Sequence, residues 1–486
     1  MLDGSGPPDL SSRRSVHIVG VAGSGMSAIA TVLLGMGHRV SGSDASGGPA
    51  LRRLRALGAD VHSGHDPAWV GRAEILAVSS AVPGDDPEVV EALRRGIPVL
   101  RRSQLLAAIC RRKRTIAVSG THGKTSTSAM LAVLMRGAGM KPSMVIGGDI
   151  AGVGAGAAWE PDGEWLVVEA DESDGTFLEL GAEMVVVTSV GADHLDYFGT
   201  REAIESAFMQ FAAAAPGPAV ICDEDRGSAS LARALQTLHE AEASGATDVA
   251  PNVLTYGRGE GATIRISDVS LQRFGAEFSL SERGEDRGRF ALAVPGLHNV
   301  INATGALAAA TAAGVAWDPA RSALAGYRGV GRRFEMRGRA GGVTFVDDYA
   351  HNPEKVSAAI AAARDGEWPR IVAVFQPHRY TRTEALWREF GPALAGLDVL
   401  IVTDVYPAGE ARLPGVTGKL IADAVEASSP AVTVYYEPSL EDAERRLSEV
   451  LRPGDLCLTM GAGDVTTLPA RFVGLPTEPD GGLHGG

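Results

Sequence analysis

Residues 115–135, TIAVSGTHGKTSTSAMLAVLM, decide how the rest of the chain is read. An apolar run ends at Gly120, a second glycine follows at Gly123, and Lys124-Thr125-Ser126 opens a segment of helical spacing. The order is strand, phosphate-cradling loop, helix. Gly120 and Gly123 let backbone N–H groups turn toward an anion, and Lys124 adds a full positive charge. Thr125 supplies a hydroxyl for a phosphate-bound magnesium, and the helix start adds roughly 0.3–2 kcal/mol of dipole attraction. The general phosphate-loop pattern asks for a further glycine where Val118 stands, so this is a shortened form, Gly-Thr-His-Gly-Lys-Thr-Ser.

At 486 residues the chain is long enough for about three domains of roughly 150 residues each. A net charge of -14 argues against general nucleic-acid binding. Only five residues are lysine (Lys113, Lys124, Lys141, Lys355 and Lys419), so a lysine inside the glycine loop is a selective feature. The start, MLDGSGPPDLSSRR, lacks the apolar centre of a signal peptide, and no run of about 18 apolar residues occurs. A cytoplasmic chain is expected. Cys110, Cys222 and Cys457 lack CxxC spacing, which predicts neither a disulfide framework nor a zinc site; each reads as a small core residue.

After a flexible leader, residues 1–14, the stretch 16–44 reads as strand VHIVG, turn VAGSG, helix MSAIATVLLGMG and strand HRVSGSD. Gly20, Gly23 and Gly25 are spaced G-x-x-G-x-G rather than G-x-G-x-x-G, and Asp44 ends the second strand. Such a turn either packs helix on sheet or holds a phosphate or diphosphate at the helix start. A helix at 50–57, a strand at 73–79, a helix at 86–95, the strand IPVL and a helix at 103–109 complete a small parallel sheet over 15–112. His62 and His65 read as loop histidines without a third metal ligand. The basic run 111–114 marks a solvated boundary.

Beyond the loop helix, strand WLVVEA delivers Glu169, Asp171, Glu172 and Asp174 to its carboxyl end, where ligands bind in open α/β sheets. A magnesium nucleotide needs such hard oxygen ligands. Strand MVVVTSV runs into GADHLDYFG, which brings Asp193, His194 and Asp196 to the same edge as a second cation or reaction-centre group. Residues 200–290 read as a helix, strand PAVICDED, a helix at 227–240 and antiparallel hairpins peripheral to the main sheet. His298, Asn299 and Asn302 stand in the first turn of a long apolar helix, and these amides either cap it or read an adenine edge. GYRGVGRRFEMRGRA, 326–340, reads as a glycine and arginine hinge with a boundary near Glu335. From there to residue 470 strands and helices alternate again, ahead of a flexible tail at 471–486. Their strand ends deliver Asp347, Asp348, Tyr349 and His351, then His378, Arg379 and Arg382, then Asp404, Tyr406 and Glu410, and last Gly461 and Gly463. A third parallel sheet with so many polar groups at one edge faces a ligand.

In order between about residues 15 and 465, GVAGSGMS, GTHGKTSTSAM, EADESDGTFL, ADHLDYFG, PGLHNVINATGALA, GRRFEM, DDYAHNPEKV, FQPHRYTRT, DVYPAGE and GAGD resemble the consecutive motifs of the Mur ligases. QPHRYTRT and DVYPAGE are most similar to the alanine-adding members. The resemblance implies an α/β protein of three domains: an N-terminal Rossmann-like domain (15–112), a central P-loop ATPase-type domain (113–334) and a C-terminal Rossmann-like domain (335–470). It implies ATP-dependent amide formation, in which the lactyl carboxylate of UDP-N-acetylmuramate is phosphorylated and the amine of L-alanine attacks the acyl phosphate. ATP and Mg2+ are the implied cofactors, and UDP-N-acetylmuramate and L-alanine the implied partners. No nucleic acid or membrane is expected, and a monomer or weak homodimer is.

Carried over by matching motif, Gly20, Gly23, Gly25, Ser27, Asp44, Ser79 and Ser80 would line the UDP-sugar site. Gly120, Thr121, His122, Gly123, Lys124, Thr125 and Ser126 would bind ATP, with Asn299 and Asn302 at adenine and Arg332 and Asp347 completing the pocket. Thr125, Glu169 and His194 would hold metal. Tyr349, His351, Arg379 and Arg382 would surround the reacting carboxylate and the amino acid, and Lys124, His194, His351, Arg379 and Arg382 form the implied catalytic set. Two departures stand out. Several Mur ligases hold a second magnesium with a carbamylated lysine, but no lysine lies between Lys141 and Lys355, so an acid such as Glu202 or Glu205 is the candidate replacement. Position 352 is Asn where alanine-adding members commonly show a second His. Alternatives are a ligase that recycles a preformed tripeptide onto the same UDP-sugar, which FQPHRYTRT argues against, and a nucleotide-binding sensor or an NAD-dependent protein. Neither of the last two needs His351, Arg379 and Arg382 at the edge of a third domain.

Overall fold

Apolar β-branched runs separated by helices are the signature of parallel sheets covered on both faces, and this chain repeats that pattern three times. The computed structural model describes residues 7–45, 47–191, 195–243 and 252–474. Its first sheet is wholly parallel, in the spatial order Asp60–Ser63, Arg39–Asp44, Ser15–Val19, Ile75–Val78, Val99–Arg101. The chain reverses its direction of winding beside the central strand Ser15–Val19, so the carboxyl ends of that strand and of Ile75–Val78 open a crevice. The strand Asp60–Ser63, four residues with three polar side chains, escaped the sequence reading. His62 therefore lies in a strand, stacked on Trp69 at 4.5 Å between ring centroids.

The second sheet has ten strands. Its parallel part runs Ile264–Gln272, Val253–Gly257, Ala219–Cys222, Met184–Val187, Arg114–Ser119, Trp165–Glu169, Ser143–Val145. Ala157–Ala158 closes one edge antiparallel. At the other edge Gly275–Glu282 and Glu285–Leu292 add an antiparallel meander. This corrects the expectation of peripheral hairpins: Tyr256 pairs in parallel register with Ile264, so the meander continues the main sheet. Alternating polarity reports which face of a strand is covered, and it carries no information about the neighbouring strand. The loop helix Lys124–Gly137 and the helix Leu297–Ala312 cover one face, with Met130, Leu134, Val300 and Leu307 fully buried.

The third sheet runs Glu335–Ala340, Val343–Asp348, Leu456–Met460, Ile371–Phe375, Val399–Val402, Thr433–Tyr436, parallel except for the first pair. EMRGRA is thus an antiparallel edge strand rather than part of a hinge, and its arginines are compatible with an edge that needs no second apolar face. All three cysteines are free and buried, as core residues should be. Among the described residues no helix is long and apolar enough to cross a membrane.

Candidate active site

The loop between Arg114–Ser119 and Lys124–Gly137 is shaped by its two glycines. Gly120 has φ of 139°, and a Cβ there would sit 2.2 Å from Thr188 Oγ1. Gly123, left-handed at φ 83°, precedes the helix, and its missing Cβ leaves room for Asn302 Oδ1, which would lie 2.3 Å away. Val118 explains the shortened pattern: it is still in the strand, fully buried and paired with Val186 and Glu169, so no glycine is needed there. The neighbouring strand end pins the loop. Thr121 N–H donates to Ser189 O at 3.1 Å and His122 N–H to Ser189 Oγ at 2.9 Å. Ser189 was not foreseen.

Lys124 Nζ donates to Gly120 O at 2.8 Å and to buried Glu172 Oε1 at 2.7 Å. Thr125 Oγ1 donates to Glu169 Oε1 at 2.7 Å, while Gly147 N–H donates to Glu169 Oε2 at 2.6 Å. A hydroxyl and a carboxylate converging beside a phosphate cradle are the hard oxygen donors that Mg2+ requires, so these two residues fit the implied cation. Asp171 and Asp174 turn elsewhere, to Arg102 at 3.5 and 2.9 Å. Burial works to raise the Asp171 carboxyl, but the charges of Lys124 and then Arg102 hold it below the usual range. Asp193 and His194 lie outside the described residues, as does the side chain of Asp196.

A cavity of ≈ 350 Å³ runs from this loop, Ser126 included, past Asn299 and Asn302 to Asp348, Glu354 and Lys355 of the third domain. Glu354 also bonds the His122 ring, so the two domains meet at the loop itself. Asn299 is partly committed, its Nδ2 donating to Pro295 O at 2.7 Å. Burial lowers the His298 imidazole to about 4, which leaves it neutral. Arg332 and Asp347 are placed differently from expectation: they form an ion pair at 3.2 Å in which Asp347 is fully buried and also accepts from Thr459 and Thr466, both at 2.7 Å. Arg332 further donates to Gly461 O at 2.8 Å. Their neighbours Arg333 and Asp348 line the cavity instead. Burial pushes the Asp348 carboxyl up to about 6, although it accepts backbone N–H groups from Phe334 and Ala350.

Glu202 and Glu205 do not reach the cavity. Both are exposed on the helix Arg201–Ala213, and Glu205 pairs with Arg201 at 2.8 Å. Glu224 and Asp225 do line it, at the end of strand Ala219–Cys222. The acids of PAVICDED stand past a strand end, the same signal that singled out Glu169. Asn352 proves to be a helix cap, its side chain accepting from Lys355 N–H at 3.0 Å.

On the third domain the ends of Val343–Asp348 and Ile371–Phe375 bring together Tyr349, His351, His378 and Arg382. His351 Nδ1 donates to Tyr349 O at 2.7 Å, so its Nε2 is left as an acceptor. Burial, reinforced by Lys355 and Arg382, drives this ring down to about 2. His378 lies 5.8 Å from it between centroids and is lowered to about 4 by burial and then by Arg382 and Arg379. Arg382 Nη1 donates to His378 Nδ1 at 3.1 Å, which puts the His378 proton on Nε2. Arg379 takes a left-handed φ of 71° at the start of helix Tyr380–Ala393, its N–H bonded to Tyr406 O at 2.9 Å.

The first domain holds the remaining residues at its crevice. Gly20, with φ of 78°, lies where a Cβ would be 2.7 Å from Ser79 Cβ, and Asp44 Oδ2 accepts from Ala22 N–H at 2.9 Å, so the acid shapes the turn that Gly20, Gly23 and Gly25 form. Ser24 and Ser27 border a cavity of ≈ 420 Å³ closed from the second domain by Gly147, Gly148 and Asp149. Ser80 is exposed beside Ser79. His65 meets Asp86 at 3.0 Å, so acids do stand near it. They are already engaged: Asp86 caps Glu88 N–H at 2.9 Å, and Glu88 accepts from His17, Ser43 and Asp66 N–H.

Comparison with known proteins follows the same three-part division. Residues 15–114 match the Mur ligase family catalytic domain, 118–310 the Mur ligase middle domain, and 332–463 the Mur ligase glutamate ligase domain. The chain is 42% identical over 468 residues to a UDP-N-acetylmuramate–L-alanine ligase of Acidithiobacillus ferrooxidans, covering 94% of this chain and 97% of that one. It is 41% identical over 464 residues to the ligase of the same name from Nitratidesulfovibrio vulgaris, covering 95% and 98%. The crystal structure of a UDP-N-acetylmuramate–alanine ligase from Thermotoga maritima aligns with a TM-score of 0.79 at 28% identity, covering 95% of this chain and 99% of that one. Likeness of this degree along nearly the whole length is decisive, and the chain belongs to the Mur ligase family.

Proposed function

We propose that this protein is an ATP-dependent ligase that joins L-alanine to the lactyl carboxylate of UDP-N-acetylmuramate, a cytoplasmic step of peptidoglycan precursor synthesis. The observation that carries the reading is one cavity bordered by the phosphate loop with Lys124 on one side and by third-domain side chains on the other. The names of the relatives, similar over nearly their whole length, support the choice of substrates.

A lactyl carboxylate oxygen attacks the γ-phosphorus of ATP, the bond to ADP breaks, and an acyl phosphate results. The alanine amine then attacks the acyl carbon, phosphate leaves, and the proton on nitrogen passes to the departing phosphate. Lys124 neutralises charge on the transferring phosphoryl group, exchanging Glu172 for phosphate oxygens. Magnesium, held by Thr125 and Glu169, would neutralise further charge on the same oxygens. On the third domain, Arg379 and Arg382 offer guanidinium forks to the alanine carboxylate. His351, kept neutral by burial and by the charges of Lys355 and Arg382, offers Nε2 as an acceptor that orients the amine rather than as a store for its proton. Closure of the domains over the cavity excludes the water that would hydrolyse the acyl phosphate.

Phosphate release measured with UDP-N-acetylmuramate, ATP, magnesium and each of L-alanine, glycine, L-serine and tripeptide tests the proposal. L-alanine-dependent release is expected. Release independent of any amino acid or peptide would sink the ligase reading, and preference for the tripeptide would make the protein a recycling ligase.

A further inference from the structure

Arg102 opens the helix Arg102–Cys110 of the first domain, yet its guanidinium reaches out of that domain. Its Nη2 donates to Asp174 Oδ2 at 2.9 Å and lies 3.5 Å from Asp171 Oδ2, both on the acidic loop that also carries Glu172, the carboxylate on Lys124. The same guanidinium covers the first turn of helix Ser24–Gly35, where a Cβ on Gly25 would lie 3.0 Å from Nη1. A side chain at position 25 would therefore push the arginine away. With 24% of its side chain accessible, Arg102 can be reached by a ligand arriving at that helix start. One planar fork thus borders both the crevice of the first domain and the carboxylates beside the phosphate loop of the second. It cannot offer its paired donors fully to both.

We propose that Arg102 is a positioning residue shared between the two sites: it rests on Asp174 and Asp171 while the UDP-sugar is absent and turns onto the diphosphate when the UDP-sugar binds. This rests on the assignment of the diphosphate to the start of helix Ser24–Gly35. Withdrawal of the guanidinium changes the charge beside Lys124, so occupancy of the first domain is felt at the loop of the second. Because one cation serves two acceptors, weakening its hold on the acidic loop strengthens its hold on the diphosphate.

Calorimetric titration of UDP-N-acetylmuramate into the full chain, with EDTA and without ATP, tests this on binding alone. Arg102→Ala is expected to weaken binding about tenfold, the size of one charge-assisted contact. Asp174→Asn keeps the oxygen that accepts from Thr176 N–H but releases the arginine, and should tighten binding about threefold. In an Arg102→Ala background the same Asp174→Asn change should have no effect. Arg102→Lys retains the charge and the aliphatic stem, so it reads the role even where Arg102→Ala fails to fold, and its affinity should fall between the two. An unchanged affinity for the Arg102 variants, or an equal effect of Asp174→Asn in both backgrounds, would overturn the shared role. Failure of the unmodified chain to bind would overturn the diphosphate assignment and this role with it.

Discussion

Lys124 is held by a backbone carbonyl and by a carboxylate that is almost entirely out of water. A phosphate entering the loop replaces one anionic partner with another, so the lysine need never be stripped of counter-charge. Lys124→Ala removes the cation from the transferring group, and its turnover should fall by about 10³-fold or more. UDP-sugar affinity, read by calorimetry, should change far less, by about threefold at most, because Lys124 makes no contact with that crevice and reaches it only through the acidic loop it shares with Arg102. Loss of both together would contradict the division of labour. At this scale the sequence was legible where residue type alone decides, as in the order Gly120, Gly123, Lys124, Thr125. It was not legible where orientation decides. In GRRFEM nothing in composition says that Arg332 turns inward with φ of 59° onto Asp347 while Arg333 faces the cavity. Nor does any local pattern reveal that Arg102 reaches a second domain.

Helices and buried strands announce themselves through long apolar periods, so Trp165–Glu169, Met184–Val187 and Leu297–Ala312 were readable to within a few residues. Short or polar edge strands do not. Asp60–Ser63 and Glu335–Ala340 are set by the neighbour they pair with, a non-local property. Asn352 shows an element's end resting on one side chain. An amide oxygen at that position satisfies Lys355 N–H and starts the helix Pro353–Asp365 that carries Glu354 and Lys355 to the cavity. Asn352→Ala should lower the unfolding free energy by about 1 kcal/mol in denaturant titration, and Asn352→Asp should restore most of it. Equal midpoints for all three would show that the cap does not hold the helix.

Across the whole molecule, polar strand ends point at shared cavities, and side chains bond across the domain boundaries. Arg102 meets Asp174, His122 meets Glu354, and Arg273 bonds the carbonyls of Gly366 and Glu367 at 2.9 and 3.0 Å. The ordered motifs disclosed three α/β units because each unit's pattern is local. Which strands extend the ten-stranded sheet, and which side chains face one another across a cavity, emerged only from the assembled fold. The proposed reaction turns on activation of the lactyl carboxylate as an acyl phosphate before the amine attacks. UDP-N-acetylmuramate carrying ¹⁸O in both lactyl carboxylate oxygens, turned over with ATP and L-alanine, addresses it directly by mass spectrometry of the released phosphate. Transfer of one ¹⁸O to each phosphate, with the other kept in the amide, is the expected result, and unlabelled phosphate would contradict the mechanism.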